Sequence, residues 1–399
     1  MKNIRILHII GSVDQRDGGP IENARIMSHI LREQGDEISF LTLDPPDAPC
    51  LKSFDFPVTA AGPNPGKFGH STAFQSSLRT LAKTHDVAIV HGLWNYATAS
   101  CARVFGRENL PYVVFTHGML DPWFAQEFPI KNAAKQVYWS LFQGPVLSHA
   151  HRVLFTCEEE MRLTKGAFWG HDYRPKVVAF GAQSQAPLKA DPKDAMRKLI
   201  GALDGRRYLL FLSRIHPKKA CDNLIKAFAE VADEAQDIDL VMAGPDPTNW
   251  RPELETLAAN LGVASRIHWP GMLTGAQKRQ AFAQADAFVL PSHQENFGIV
   301  VAEALSADCP VLISTKVNIW REIISEGAGM VCEDTPQSTA QMLRGFLKLS
   351  QQKRAEMRAA TLPCYAKHFS VDAAAVDLRN ALCSAIAEVD APIRKIQDA

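Results

Sequence analysis

Apolar residues fall along this chain in short, nearly unbroken runs, with stretches of helical spacing between them. Ile4–Ile10 is the first run, and buried parallel strands have that character. Gly11 to Pro20 is a glycine-containing loop, and Pro20 stands where a helix can begin. Ile21, Ala24, Met27, Ile30 and Leu31 then repeat on one helical face, and Gly35 ends the helix. Ile38–Leu43 reads as the second strand. Strand, glycine loop, helix, strand is the opening of a doubly wound α/β domain. Val87–Val90, Tyr112–Thr116, Val153–Thr156 and Lys176–Phe180 complete its sheet. Residues 44–70, rich in Pro and Gly, read as a long surface excursion. Lys131 to Arg152 mixes bases with Val137, Tyr138, Trp139, Leu141 and Phe142, which predicts one helix with a basic face. Core packing is one reading of that aromatic stripe. A membrane-surface or lipid-acceptor face is the other.

Residues 181–192 carry two prolines and no periodicity, so they read as a domain linker. The pattern then restarts. Tyr208–Leu212, Ile238–Ala243, Arg266–Trp269, Ala287–Leu290 and Val311–Ser314 read as strands. Asp222 is placed to cap a helix whose inward face is Leu224, Ile225, Phe228, Val231 and Ala232. Ser370–Val389 is a long amphipathic helix, with Val371, Ala374, Ala375, Leu378, Leu382 and Ile386 on one side. The expected organisation is a first domain over 1–185, a second over 186–370, and a C-terminal helix and tail over 371–399. Two such α/β domains are expected to place a ligand site in the cleft between them.

Composition narrows the function classes. A chain of 399 residues, 46% hydrophobic and 22% charged, suits two soluble globular domains. Lys plus Arg equal Asp plus Glu at 43 each, so there is no basic footprint for nucleic acid. No uncharged apolar run reaches the length of a membrane span. The N-terminal apolar run is broken by Arg5 and His8 and reads as a strand rather than a signal peptide. Eight cysteines with no C-x-x-C pair suit a reducing, cytoplasmic compartment and no zinc site. The thirteen histidines show no ligand spacing, and His149 and His151 read as surface residues.

The candidate chemistry gathers in two stretches. Phe288 to Leu305 begins as a strand that Pro291 and Ser292 stop, and from Phe297 winds into a helix apolar on most sides. Glu295 precedes that helix, and Glu303 lies about 7.5 Å further along its axis than Gly298. Gly298 lets another group approach the backbone, and a helix N-terminus is a natural seat for phosphate. One carboxylate on either side of an anion seat fits a ligand with a central diphosphate and hydroxyl-rich ends: a nucleotide sugar. The second stretch, Leu212 to Ala220, sets Arg214 and Lys219 in the loop after a strand. Arg binds a diphosphate as a planar fork and Lys as a point charge. Two cations and a helix N-terminus stabilise a departing diphosphate without a metal. In the first domain Gly18 and Gly19 sit in the first strand-to-helix loop, without the spacing of a dinucleotide fingerprint. His91 and His117 close two strands at the edge where such sheets bind ligands.

Ser213-Arg-Ile-His-Pro-Lys-Lys219 followed by Pro291-Ser-His-Gln-Glu-Asn-Phe-Gly-Ile-Val-Val-Ala-Glu-Ala-Leu305 resembles glycosyltransferase family four, the retaining enzymes of GT-B fold. Gly18-Gly19-Pro20, Thr116-His117-Gly118-Met119 and the Ala285–Ser292 approach are similar as well. The resemblance implies two facing Rossmann-like domains with a C-terminal helix crossing back to the first. It implies that Arg214 and Lys219 hold the donor diphosphate and that Glu303 takes the ribose hydroxyls. Glu295 then lies on the transferred sugar, with the Phe297, Gly298 and Ile299 N–H groups near phosphate and sugar. Gly18 and Gly19 approach the donor, and His117 contacts the transferred sugar or reaction centre. No metal or other cofactor is implied. The acceptor is expected to be a saccharide or lipid-linked saccharide in cell-surface polysaccharide synthesis, with peripheral contact to a membrane as the second reading of residues 131–152. Ser213 and Ala220 stand where the family often has Gly, and both are small. A nucleotide-sugar epimerase of the same fold and a non-catalytic sugar-nucleotide-binding protein are the alternatives. An epimerase would convert the donor without an acceptor.

Overall fold

The structure is a computed structural model and describes residues 3–14, 19–63, 70–121, 129–189, 194–203 and 205–390. The chain divides into two compact units. One runs to Phe180 and takes in the last helix from Ala374; the other is Gly181–Ala373.

The first unit is built on a parallel sheet of seven strands in the order β3-β2-β1-β4-β5-β6-β7. These are β1 (Arg5–Ile9), β2 (Glu37–Thr42), β3 (Val58–Ala60), β4 (Val87–His91), β5 (Tyr112–Phe115), β6 (Arg152–Phe155) and β7 (Pro175–Val177). All five β4 residues and all four β5 residues are buried, as the continuous apolar runs require of strands covered on both faces. The crossover helices are α1 (Gly19–Glu33), α2 (Thr72–Ala82), α3 (Cys101–Glu108), α4 (Pro129–Tyr138), α5 (Gly144–His149) and α6 (Glu158–Leu163). Strand β1 pairs with both β2 and β4, so the order of the chain reverses between β1 and β4.

The second unit repeats the plan with six parallel strands in the order β10-β9-β8-β11-β12-β13. They are β8 (Arg207–Leu212), β9 (Ile238–Ala243), β10 (Ile267–Gly271), β11 (Ala287–Leu290), β12 (Val311–Ser314) and β13 (Gly329–Cys332). Besides a short helix at Ala195–Leu199, its helices are α7 (Cys221–Ala232), α8 (Arg251–Asn260), α9 (Gly275–Gln284), α10 (Ile299–Ser306), α11 (Trp320–Glu326), α12 (Pro336–Leu347) and α13 (Gln351–His368). Here the order reverses between β8 and β11. The last helix among the described residues is α14 (Val371–Asp390). Among its residues, Arg379 donates to Asp36 at 2.8 and 3.0 Å, in a pair 6% and 0% exposed.

Several expectations are corrected. The excursion at 44–70 contains β3, which pairs with β2 through Phe40, Leu41 and Thr42; three residues between proline-rich flanks are too few to show alternation. Residues 131–152 are not one helix. A turn of π-helix, Trp139–Gln143, separates α4 from α5, and Arg152 belongs to β6. Asp222 does not cap α7: Ala220, in the left-handed conformation at φ 54°, holds that position, and Asp222 pairs with Lys226 one turn on at 2.8 Å. His151 is buried rather than on the surface, with Nδ1 2.8 Å from Glu388. The residues after Phe180 do not begin as a free linker. Ala182 N–H donates to Phe369 and its carbonyl accepts from the Tyr365 hydroxyl.

Candidate functional site

In the second unit, two loops leave neighbouring strands at the point where strand order reverses, which in open α/β sheets is where a crevice forms beyond the carboxyl ends. The loop after β8 carries Ser213 to His216, then a single 3-10 turn at Pro217–Lys219. Ala220 then turns left-handed to enter α7. Tight apposition explains the start of this loop: a Cβ on Gly244, at the end of β9, would fall 1.8 Å from the Ser213 carbonyl oxygen. The loop after β11 carries Pro291 to Gly298 and enters α10. The loops are joined by the His293 N–H, which donates to the Lys218 carbonyl at 2.9 Å.

This apposition brings Lys219 and Glu295 into a direct ion pair, with side chains 10% and 22% exposed. Glu295 is fixed from the backbone as well. Its N–H donates to the Lys316 carbonyl at 2.9 Å, and its carbonyl accepts from Asn318 at 3.1 Å. Arg214 is exposed and has no ion pair among the described residues. The cations are felt nearby: burial first, and then Arg214, Lys218 and Lys219, hold the His216 imidazole below its ordinary pKa.

Gly298 is the N-cap of α10 at φ 72°, and an added Cβ would lie 3.1 Å from Glu295 Cγ and 3.3 Å from Val301 and Val317 side-chain atoms. The position therefore demands glycine twice over, for conformation and for space. The first N–H groups of α10, from Ile299 on, have no partner within the helix. The Phe297 ring is buried edge-on against Phe369 at 5.8 Å between centroids. Glu303 lies on α10 and accepts from Lys278 of α9 at 2.7 Å. Burial raises the Glu303 pKa, and Lys278 opposes that rise. Lys278 was not singled out by the sequence, since no motif marks it. Lys219 and Glu295 are thus brought together, while Glu303 has a different cation as its partner.

In the first unit, Gly19 is the first residue of α1, and Gly18 lies outside the described residues. His117 follows β5 with φ 51°. Its flanks are held by Glu160 of α6, 2% exposed. That carboxylate accepts from the Thr116 hydroxyl at 2.8 Å, from Gly118 N–H at 2.7 Å, and from both Thr156 N–H and hydroxyl at 2.7 Å. Sequence reasoning missed Glu160, whose role depends on two loops meeting. It also missed the link from His117 to His91 at 3.1 Å and on to His8 at 2.9 Å. Among the described residues no cluster of three or more His, Cys, Asp or Glu could hold a metal ion, and no helix is long and apolar enough to cross a membrane.

Comparison with known proteins gives a consistent result. Residues 192–361 match the family model described as glycosyl transferases group 1. Residues 18–180 match the one described as a glycosyl transferase 4-like domain. An uncharacterised glycosyltransferase of Methanocaldococcus jannaschii is 32% identical over 154 residues, 38% of this chain and 39% of that protein. D-inositol 3-phosphate glycosyltransferase of Streptomyces avermitilis is 31% identical over 209 residues, 50% of this chain and 45% of that protein. The chain thus spans less than half the length of these two curated relatives. Among solved structures, HepE of Anabaena in complex with UDP and glucose superposes with a TM-score of 0.73 at 18% identity, over 96% of this chain and 100% of that one. That likeness shows the fold.

Proposed function

We propose, since the chain belongs to the glycosyltransferase family four type of GT-B fold, that it moves a sugar from a nucleoside-diphosphate donor to a hydroxyl of a saccharide or lipid-linked saccharide, with retention at the anomeric carbon. The observation that carries this reading is the meeting of the Arg214–Lys219 loop with the Glu295–Gly298 loop at the reversal of strand order. The Lys219–Glu295 pair keeps both charges compensated until a ligand divides them. The donor phosphates then take Lys219, Arg214 and the N–H groups of Phe297, Gly298 and Ile299. The hydroxyls of the sugar donate to Glu295, and those of the ribose to Glu303. In the transfer the acceptor oxygen bonds to the anomeric carbon while that carbon's bond to the phosphate oxygen breaks. The bonding pair leaves with the diphosphate, whose oxygen accepts the acceptor's proton. Two cations and a helix N-terminus neutralise the charge that develops, so chelators should leave the rate unchanged. His117 contacts the transferred sugar in this reading, and Gly18 and Gly19 approach the donor.

UDP-sugars are the first donors to try, because HepE was solved with UDP and glucose. The eight free cysteines support a cytoplasmic location. For the acceptor side, α4 and the π-turn carry no acidic residue and expose Val137, Leu141 and Phe142 at 61%, 64% and 50%. Trp169, 73% exposed, is tied to the same face through Gln136. This basic, aromatic face supports peripheral contact with an anionic membrane and a role in cell-surface polysaccharide synthesis. The deciding experiment is a thermal-shift screen of nucleoside diphosphates. A ligand at 100 times its Kd stabilises by about 2.7 kcal/mol. Arg214→Ala and Lys219→Ala should each remove the shift, and a shift retained in both variants defeats the assignment. Incubation of the donor alone should give slow hydrolysis; an epimer would favour an epimerase instead.

A further inference from the structure

Three imidazoles run head to tail across the first sheet, from near the end of β1 to the end of β4 to the loop after β5. His8 Nδ1 is 2.9 Å from His91 Nε2, and His91 Nδ1 is 3.1 Å from His117 Nε2. The planes are near parallel, at 9° and 10°, with centroids 5.1 and 5.3 Å apart. That suits donation, because an imidazole N–H lies in the plane of its ring. At one end the Ser28 hydroxyl of α1 lies 3.4 Å from His8 Nε2. At the other end His117 Nδ1 is enclosed and has no partner among the described residues. Phe40 packs on His8, Phe115 on His91 and His117, and Phe180 edge-on against His117. The carboxylate bound to this segment, Glu160, is occupied by Thr116, Gly118 and Thr156.

A neutral imidazole has one donor and one acceptor nitrogen. The ring-to-ring bonds therefore all point one way or all point the other; one reversed ring would set two lone pairs or two N–H groups against each other. Pointing toward His117, the row would end in an enclosed N–H with no acceptor, the rarer and costlier defect. Pointing toward Ser28, it ends in a hydroxyl that accepts, and leaves His117 Nδ1 as a lone pair. We propose that Ser28, His8, His91 and His117 form a relay polarised toward Ser28, in which His8 and His91 are positioning residues that fix the tautomer and orientation of the His117 ring for its contact with the substrate sugar, the enclosed Nδ1 remaining a lone pair. The part concerning substrate rests on the transferase reading above. The polarity does not.

Burial alone lowers the pKa of His8 and of His117 to about 3, and His91 is also held well below its ordinary value. All three rings are then neutral at neutral pH, as a relay of single protons requires. Long-range nitrogen–proton NMR of the imidazoles in the intact chain tests the polarity directly. All three rings should show the Nε2–H tautomer, and none should titrate between about pH 5 and pH 8. A proton on His117 Nδ1, or a ring titrating near its ordinary value, overturns the proposal.

Kinetics with the donor that the thermal screen identifies test the substrate part. His8→Phe should lower kcat/KM about tenfold, the loss of one ordinary hydrogen bond, and leave nucleoside-diphosphate binding unchanged. His8→Asn, whose amide oxygen can accept from His91 Nε2, should recover most of that loss. Equal loss in both variants means that His8 is only a packing residue and refutes its positioning role. If the wild-type protein has the predicted tautomers but binds no nucleoside diphosphate, the transferase reading fails and the polarity stands.

Discussion

Lowering the pH should destabilise the first unit through its three buried imidazoles, and the size follows from their environment. His8 is 1% and His91 5% exposed, and His8 protonates at about 3 in the folded chain against 6.5 when free. The folded pKa lies below the unfolded one, so the unfolded chain binds more protons wherever the pH lies between the two. Stability is therefore complete above about pH 7.5 and is lost as pH falls toward 3. Between about pH 7.5 and about pH 5.5 His8 and His117 each cost about 1 kcal/mol, and His91, held well below its ordinary value, adds a loss of the same sign. That is a large share of the roughly 5–15 kcal/mol that holds a domain together. Hydrogen exchange of β1 and β4 amides, corrected for intrinsic rate, reads this unit separately from the other. His8→Phe should reduce the loss by about 1 kcal/mol, since the phenyl ring has no proton to gain. Protection that does not change between the two pH values, or an identical change in wild type and variant, would refute the argument.

Glu295→Gln should keep nucleoside-diphosphate binding but lower the transfer rate about 10- to 100-fold, the range expected for losing a hydrogen bond to a charged group; rates under saturating donor decide it. Gly298→Ala should destabilise the second unit by about 1–2 kcal/mol through its left-handed backbone alone, and push Glu295 as well, which denaturant unfolding and nucleotide titration together would show. Arg379→Ala leaves Asp36 buried and unpaired, so it should cost about 3–5 kcal/mol, with the double variant Asp36→Ala, Arg379→Ala recovering part of that in the same unfolding assay.

Most of the architecture was legible because buried parallel strands announce themselves. Ile4–Ile10, Val87–Val90 and Ile238–Ala243 are apolar runs too short for helices, and each became a strand. Elements with weak side-chain signals were harder. Val58–Ala60 is three residues of partly buried edge strand, and Gly329–Cys332 has one fully buried position, so neither carries a pattern. The break at Trp139–Gln143 runs straight into Gly144-Pro145; Pro145 has no N–H to donate back along the helix, a signal that apolar periodicity does not read. At the site, Lys219 and Glu295 could be placed at one sheet edge from the order of strands and loops. That they touch is decided by the backbone bond from His293 to Lys218, which is not written in residue types. Lys278 and Glu160 escaped for the same reason, since each serves a partner distant in sequence.

The closing guanidinium for Asp36 is 343 residues downstream of it. On a ribosome, the whole of Gly181–Ala373 is synthesised before Arg379 emerges, so the earlier unit must wait unlocked while the later one can already be complete. Until then Asp36 has no permanent counter-charge, and a nascent chain must keep that carboxylate hydrated. Truncation just before α14 would therefore leave the N-terminal sheet in its provisional state, a substrate for chaperones, while the C-terminal half could still fold.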